Sequence, residues 1–353
     1  MRVLLIKTSS LGDVIHTLPA LTDAARAIPG IRFDWVVEEG FAEIPSWHPA
    51  VEAVIPVAIR RWRKKPFQAV RSGEWGAFKR RLRETDYDLV IDAQGLLKSA
   101  WLTRYARAEV VGLDRDSARE PLAARFYQRR LPVPWGQHAV ERTRQLFAQA
   151  LGYTLEEGLG DYGLDRAALG AESASTPYVV LLHGTTWVTK HWPELYWRQL
   201  AERLVASGVD VRLPWGSLDE QARALRIAEG LEGALVLPRL PLRDVARQLA
   251  GASACVAVDT GLGHLAAALD VPTLSLFGPT NPGFTGAYGR AQQHLASDFA
   301  CAPCLRKQCT YKPTPEDARR FDLTREQPLC FTRLDPERVM QHLQPLLSNK
   351  RIV

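Results

Sequence analysis

A chain of 353 residues has room for two domains, each able to bury a core of its own. Hydrophobic residues at 46% and charged residues at 24% exclude a disordered or fibrous polymer. The formal net charge of +6 favours an anionic partner such as nucleic acid, a nucleotide or an acidic lipid surface, and its sign alone does not choose among them. The opening MRVLLIKTSS has only a short apolar run, and no later stretch approaches the ~18 apolar residues of a membrane span. With few cysteines and no export signal, the expected compartment is reducing, hence the cytoplasm.

In chain order, short β-rich apolar runs at residues 3–6, 33–37, 51–57 and 89–92 alternate with helical periods. Such alternation predicts a parallel sheet covered by helices. Directly after the 51–57 run comes the densest basic cluster, Arg60, Arg61, Arg63, Lys64 and Lys65, with Trp62 among them. Residues 151–177 are richer in Gly, Ser and acidic side chains, without a convincing period, and are the expected linker. Alternation resumes with runs at 178–182, 209–213, 235–237, 255–258 and 273–277 and a helical segment at 194–206. Two α/β domains are therefore expected, at 1–160 and 175–330, followed by a helix at 335–347 that could pack on either. The two similar halves suggest two related nucleotide folds facing each other across a cleft.

In RVLLIKTSSLGDVIHTLPAL a buried strand ends near Lys7, a turn of small residues follows, and a helix begins near Gly12. Loops at the carboxyl ends of parallel strands line the ligand crevice, which aims Thr8, Ser9, Ser10 and Asp13 at it. Asp13 is equally well placed to stabilise the N-terminus of that helix, a plainer role. Pro19 predicts a break or restart of the helix. His16, one turn beyond Asp13, reads as a satisfied neighbour rather than a second base.

In YVVLLHGTTWVTKHWPE, Thr185, Thr186 and Lys190 follow a strand, and hydroxyls with one ammonium group suit a pyrophosphate. In CVAVDTGLGHLAAAL a strand, a Gly-rich turn and a helix beginning near Thr260 or Gly261 make a second anion site. There Gly261 and Gly263 permit close approach, Thr260 and His264 can donate hydrogen bonds, and Asp259 suits a ribose hydroxyl or the orienting of the turn. Glu220, after VRLPWG, is a further candidate for ribose or base.

The segments KTSSLGDVIHTLPAL, HGTTWVTKHWP and DTGLGHLAAALDVPTLSLFGPTNP together resemble the ADP-heptose:lipopolysaccharide heptosyltransferases of glycosyltransferase family 9. The likeness runs to about Arg290, and VVEEGFAEIPSWHPAVEAVIPVAIRRWRKK resembles the branch that adds the first heptose to Kdo of Kdo2-lipid A. It implies an α/β GT-B fold of two facing Rossmann-like domains, an N-terminal acceptor domain and a C-terminal donor domain, and inverting transfer with neither cofactor nor required metal. Asp13 takes the place of the family's catalytic carboxylate. Thr185, Thr186, Lys190, Glu220, Asp259, Thr260, Gly261 and His264 fall on positions that bind the ADP portion, and Leu240 on the adenine pocket. Arg60, Arg61, Arg63 and Lys64 fall where the anionic acceptor is met, with Ser9, Ser10, Arg115 and Arg119 as further acceptor contacts. Because the acceptor so implied is a membrane lipid, peripheral attachment to the cytoplasmic face of the inner membrane through the basic cluster, aided by Trp62 and Trp75, is expected, the plainer reading being a patch that binds only the acceptor's carboxylates and phosphates.

Asp86/Asp88 and Asp114/Asp116 form Asp-x-Asp pairs of the kind that metal-dependent sugar transferases use, but the first leads into a buried strand and the second lies in an arginine-containing loop. Cys301, Cys304, Cys309 and Cys330 have a spacing that can hold zinc, with reduced thiols the simpler reading. A rival reading, nucleic acid tracked by RRWRKK, leaves the paired nucleotide loops unexplained and is not favoured. Within enzymes the alternatives are addition of the second heptose, or another GT-B sugar-nucleotide enzyme. No obligate protein partner is evident.

Overall fold

The computed structural model describes residues 1–170 and 175–348, with the side chains of Pro66 and Val70 left aside. The chain divides into two compact units, Met1–Leu164 and Asp165–Val353.

The first unit is built on β1 (Arg2–Ile6), β2 (Arg32–Glu38), β3 (Val51–Val57), β4 (Leu89–Asp92), β5 (Val110–Leu113) and β6 (Arg129–Leu131). All pair in parallel, in the order β3-β2-β1-β4-β5-β6. The second unit repeats the plan with β7 (Tyr178–Leu182), β8 (Asp210–Leu213), β9 (Ala234–Val236), β10 (Ala254–Val258), β11 (Thr273–Phe277) and β12 (Gln292–Ala296). Its order, β12-β11-β10-β7-β8-β9, is the same topology when strands are counted from β7. Each sheet therefore reverses its winding between its first and fourth strands, and ligands of such sheets bind outside the strand ends at that switch point. The two α/β domains expected from sequence are present.

Central strands are covered by helices on both faces and are mostly apolar; every residue of β7, β10 and β11 is buried. Edge strands differ. β3 contains Pro56, which lacks a donor for a further strand, and β12 is the polar run QQHLA. The Pro336–Ser348 helix packs on the second unit, where Val339, Leu343 and Leu346 join its core and Trp192 donates to the carbonyl of Leu334 at 2.8 Å.

The unit boundary falls inside the expected linker, but residues 153–164 are tied to the first unit. Arg144, buried and paired with Asp23 at 2.6 Å, donates to the carbonyl of Gly158 at 2.8 Å, and Arg26 pairs with Asp161. Residues 171–174 of that linker lie outside the described residues.

Candidate active site

At the first switch point the chain leaves β1 at Lys7, turns through Thr8, Ser9 and Ser10, and enters the helix Leu11–Ile15. Gln94, two residues past β4, fixes this turn: its Oε1 accepts from the amides of Thr8 (2.9 Å) and Ser9 (3.1 Å), and its Nε2 donates to the carbonyl of Ser9 at 2.7 Å. Asp13 is only partly buried, and its Oδ2 accepts from the amide (2.6 Å) and hydroxyl (2.9 Å) of Ser10. The plainer role is therefore real, since Asp13 closes a capping box with Ser10. Among the described residues both of these bonds use Oδ2. The helix stops at Ile15 and restarts at Leu18, with Pro19 in the first turn of Leu18–Ala27. His16 is buried, its ring 5.2 Å from that of His138.

Two lysines that sequence reasoning did not single out complete this corner. Lys98 Nζ donates to Ser9 Oγ at 2.9 Å, and buried Lys7 Nζ to the carbonyl of Ala93 at 2.8 Å. Burial pushes both ammonium groups below their usual range, and the Asp13 charge acts against that shift in each. Polar residues at the carboxyl end of β4, beside β1, were the available signal. Arg115 and Arg119 are exposed on the loop after β5, where Asp114 Oδ1 accepts from the amides of Asp116 and Ser117. Asp114 thus shapes a turn, and Asp88 accepts from the amide of Arg2 at 2.7 Å.

The basic cluster forms the short helix Ile59–Lys64. Arg60, Arg61 and Lys64 line a groove of about 510 Å³ with Glu38, Glu39 and Phe41. Arg60 lies over the Phe41 ring and its amide bonds Glu38; Arg61 is held by Glu39 and Glu74, at 3.0 and 2.8 Å. Arg61 therefore anchors the helix, while Arg63 and Lys64 are exposed. Trp62 and Trp75 do not project as free anchors: the Trp62 indole donates to Glu74 at 2.8 Å, and Trp75 stacks on Phe78 and Trp101.

At the second switch point, Thr185 and Thr186 follow β7 and Lys190 ends the turn Val188–Lys190. Asp259, just past β10, joins these loops. Its Oδ2 lies 2.6 Å from Lys190 Nζ and accepts from Thr280 Oγ1 at 2.8 Å, and its carbonyl accepts from Thr185 Oγ1 at 3.0 Å. The structure thus gives Asp259 the second of its expected duties, orienting the turn. Thr280, after β11, went unassigned although it lies in the quoted motif. Thr260 is the N-cap of the helix Gly261–Ala268 without a side-chain cap bond; the Gly263 amide donates to the Thr260 carbonyl at 3.1 Å, and the amides of Gly261 and Leu262 at this N-terminus suit an anion. Gly263 serves packing rather than phosphate approach, because it is buried with its Cβ position 3.1 Å from Ala257 Cβ; His264 is buried in the same turn.

Glu220 closes the capping box of Leu218–Ala228, its Oε2 accepting from Gly216 and Ser217, and its Oε1 would stand 2.5 Å from any Cβ at Gly184. Leu240, past β9, lines a groove of about 360 Å³ with Gly170, Asp244, Arg247 and Gln248. The predicted residues thus fall in sequence along one sheet edge: Lys190 and Thr260 at β7 and β10, Glu220 one strand out, and Leu240 two strands, about 10 Å, out.

The four clustered cysteines are free; with Thr189, Phe299 and Tyr311 they line a small cavity, and the loop braces the Lys190 turn through Thr189 Oγ1 to the carbonyl of Arg306. Among the described residues, no group of three or more His, Cys, Asp or Glu is arranged to hold a metal ion, and no helix is long and apolar enough to cross a membrane.

Comparison with known proteins decides the family. The model of "Glycosyltransferase family 9 (heptosyltransferase)" matches residues 75–314. Lipopolysaccharide heptosyltransferase 1 of Pseudomonas aeruginosa is 75% identical over 348 residues, 98% of either chain. The chain belongs to glycosyltransferase family 9, the heptosyltransferases. Among solved structures, Escherichia coli heptosyltransferase WaaC with ADP is 55% identical, with a TM-score of 0.81 over 84% of this chain and 93% of that one. The same enzyme with ADP-2-deoxy-2-fluoro heptose is 52% identical, with a TM-score of 0.79 over 86% and 97%. The family resemblance drawn from three motifs is borne out, and this heptosyltransferase is an enzyme of sugar transfer.

Proposed function

We propose that the enzyme transfers L-glycero-D-manno-heptose from ADP-heptose to Kdo of Kdo2-lipid A, with inversion, in the inner core of lipopolysaccharide. The observation that carries this reading is the repeated topology with different chemistry at its two switch points. The first holds a carboxylate among serine hydroxyls and ammonium groups; the second holds hydroxyls, one ammonium and a helix N-terminus.

Along the second edge, a nucleoside diphosphate fits the order of the side chains. Thr185, Thr186, Lys190, Thr260, Gly261 and His264 take the diphosphate, Glu220 the ribose and Leu240 the adenine, with Asp259 holding the turn. The ADP and ADP-heptose analogue bound by the E. coli relatives support that assignment. On the acceptor side, Arg60, Arg63 and Lys64 meet carboxylates and phosphates, with Ser9, Ser10, Arg115 and Arg119 nearer the reacting sugar and Arg61 bracing the helix.

Asp13 acts as general base. It takes the proton of the acceptor hydroxyl as that oxygen bonds the anomeric carbon and the bond to the β-phosphate breaks from the opposite face. The proton ends on the Asp13 carboxyl and the electron pair leaves on ADP. Lys190 and the N-terminal amides of the Gly261–Ala268 helix stabilise the charge that develops there, so the chemistry needs neither a cofactor nor a divalent ion.

Because the acceptor is a membrane lipid, we place the enzyme in the cytoplasm, attached to the inner-membrane face through the exposed cations of Ile59–Lys64. Neutralising Arg60, Arg63 and Lys64 together should abolish flotation with anionic vesicles; unchanged flotation would remove the membrane role. The whole reading is tested by incubating purified enzyme with ADP-heptose and Kdo2-lipid A. ADP release with a product heavier by one heptose is expected, and absence of both contradicts it.

A further inference from the structure

Beside the basic helix opens a cavity of about 370 Å³ that the chemistry above leaves unused. Its walls are Ile59, Trp62, Trp75, Trp101 and Leu102 over Ala69. Trp75 stacks on Trp101 at 5.1 Å with an interplanar angle of 5°, and stands edge-on to Trp62 at 5.4 Å. Trp62 and Trp75 are partly buried and pack against the core of the first unit, so the cavity is a surface groove floored by that core. Its outer side is left unfinished, with Trp101 40% exposed. An apolar opening of this size lies within the roughly 300–1,000 Å³ range of ligand sites, and contiguous exposed apolar surface marks a place where something binds.

The chemistry of the lining narrows the occupant. The Trp62 indole N–H already donates to Glu74 at 2.8 Å, and the remaining wall surface is hydrocarbon or ring face, which a sugar cannot satisfy and an aliphatic chain can. Two cations, Arg63 and Lys98, also line the cavity, and Lys98 continues to Ser9 beside Asp13. Arg60, Arg61 and Lys64 of the same short helix line the neighbouring polar groove. An apolar cavity bordered by cations on the side of the reacting loop complements a molecule with an anionic head and a hydrocarbon tail side by side.

We infer that this aromatic cavity holds a fatty acyl chain of the acceptor while its anionic sugar head occupies the basic groove. The inference rests on the reading of the acceptor as a lipid and adds that the enzyme recognises the tail as well as the head. The acyl chain then acts as a second anchor for the sugar that must meet Asp13.

The test compares Kdo2-lipid A with the same saccharide stripped of its acyl chains, in one fixed detergent concentration, reading ADP release and, separately, binding by titration calorimetry. Wild-type enzyme should favour the acylated acceptor in KM and in binding by about tenfold or more, since burial of two methylenes already amounts to about tenfold. Trp101→Ala should erase that ratio while leaving kcat/KM for the deacylated acceptor unchanged, and Trp101→Leu, apolar but not aromatic, should restore most of it. Equal affinity of wild type for both acceptors overturns the inference, as does a parallel loss on both acceptors in Trp101→Ala. It fails too if Trp101→Ala loses binding to acceptor-free anionic vesicles while the acceptor ratio stands, because bulk lipid is then the occupant. Failure of both acceptors to release ADP counts against the transfer reading, and the binding ratio still decides the cavity.

Discussion

Asp13 has one observed duty and one proposed duty, and one substitution can separate them. Its Oδ2 caps the first helix through the amide and hydroxyl of Ser10, and the proposed chemistry asks the same carboxylate to accept a proton. Alanine removes both, while asparagine keeps an oxygen for the cap and lacks the basicity. Lys190 poses a parallel question at the donor site, where its ammonium pairs with Asp259 at 2.6 Å. A charge-assisted bond to phosphate contributes on the order of 1.5–3 kcal/mol. Lys190→Met should therefore weaken ADP binding by roughly 10- to 150-fold in calorimetry; unaltered affinity would remove Lys190 from the phosphate site. Away from both sites, buried His48 accepts from the amide of Ala50 through Nδ1 and contacts Thr22 through Nε2, and burial pushes its pKa down to about 4. Below about 6.5 the unfolded chain takes up a proton that the folded one refuses until about 4, so this residue costs stability as pH falls through that window. Melting curves of wild type and His48→Asn should diverge least near pH 5 and most near pH 7.5 if His48 is stabilising when neutral, with the wild-type loss at most about 1.4 kcal/mol per pH unit.

At the scale of elements, what could be read depended on how much of each strand lay in the core. β1, β4, β7, β10 and β11 are buried throughout or nearly so, and their apolar runs announce them. Three strands escaped sequence reading. β5, although buried throughout, is only four residues broken by a glycine, while β6 is the basic triplet RRL and β12 a polar edge strand. Their pairing comes from neighbours already in place, a tertiary cause with no local signature. The candidate site stood out in the sequence where a motif ended a central strand, as with Asp13, Lys190 and Asp259. Gln94, Lys98 and Thr280 were not, because a polar residue after a strand acquires meaning only when the strand order sets it beside the loop it holds. Gly184 shows how tightly such loops are set. Alanine there would meet Glu220 Oε1 at 2.5 Å, so the Glu220 carboxylate that caps Leu218–Ala228 must swing aside. Gly184→Ala should lower stability by about 1–3 kcal/mol and weaken ADP binding; a variant with wild-type melting and affinity would show that Glu220 yields freely.

For the whole molecule, the repeated strand order is the informative fact. Both units wind as 3-2-1-4-5-6 and so both possess a switch point, but the chain has equipped them differently, with the Asp13 carboxylate at the first and the Lys190 ammonium with a helix N-terminus at the second. In the proposed reading the first unit supplies the base and the second holds the leaving group. The net charge of +6 likewise acquires meaning once its densest cluster is seen as one short helix beside an aromatic cavity. The central claim is that Asp13 removes the acceptor proton. Its most direct test is the turnover of Asp13→Asn with ADP-heptose and Kdo2-lipid A, measured beside its melting temperature and ADP affinity. The account predicts a rate lower by about 10²–10⁴ with both other quantities near wild type; a rate within a few-fold of wild type would contradict it.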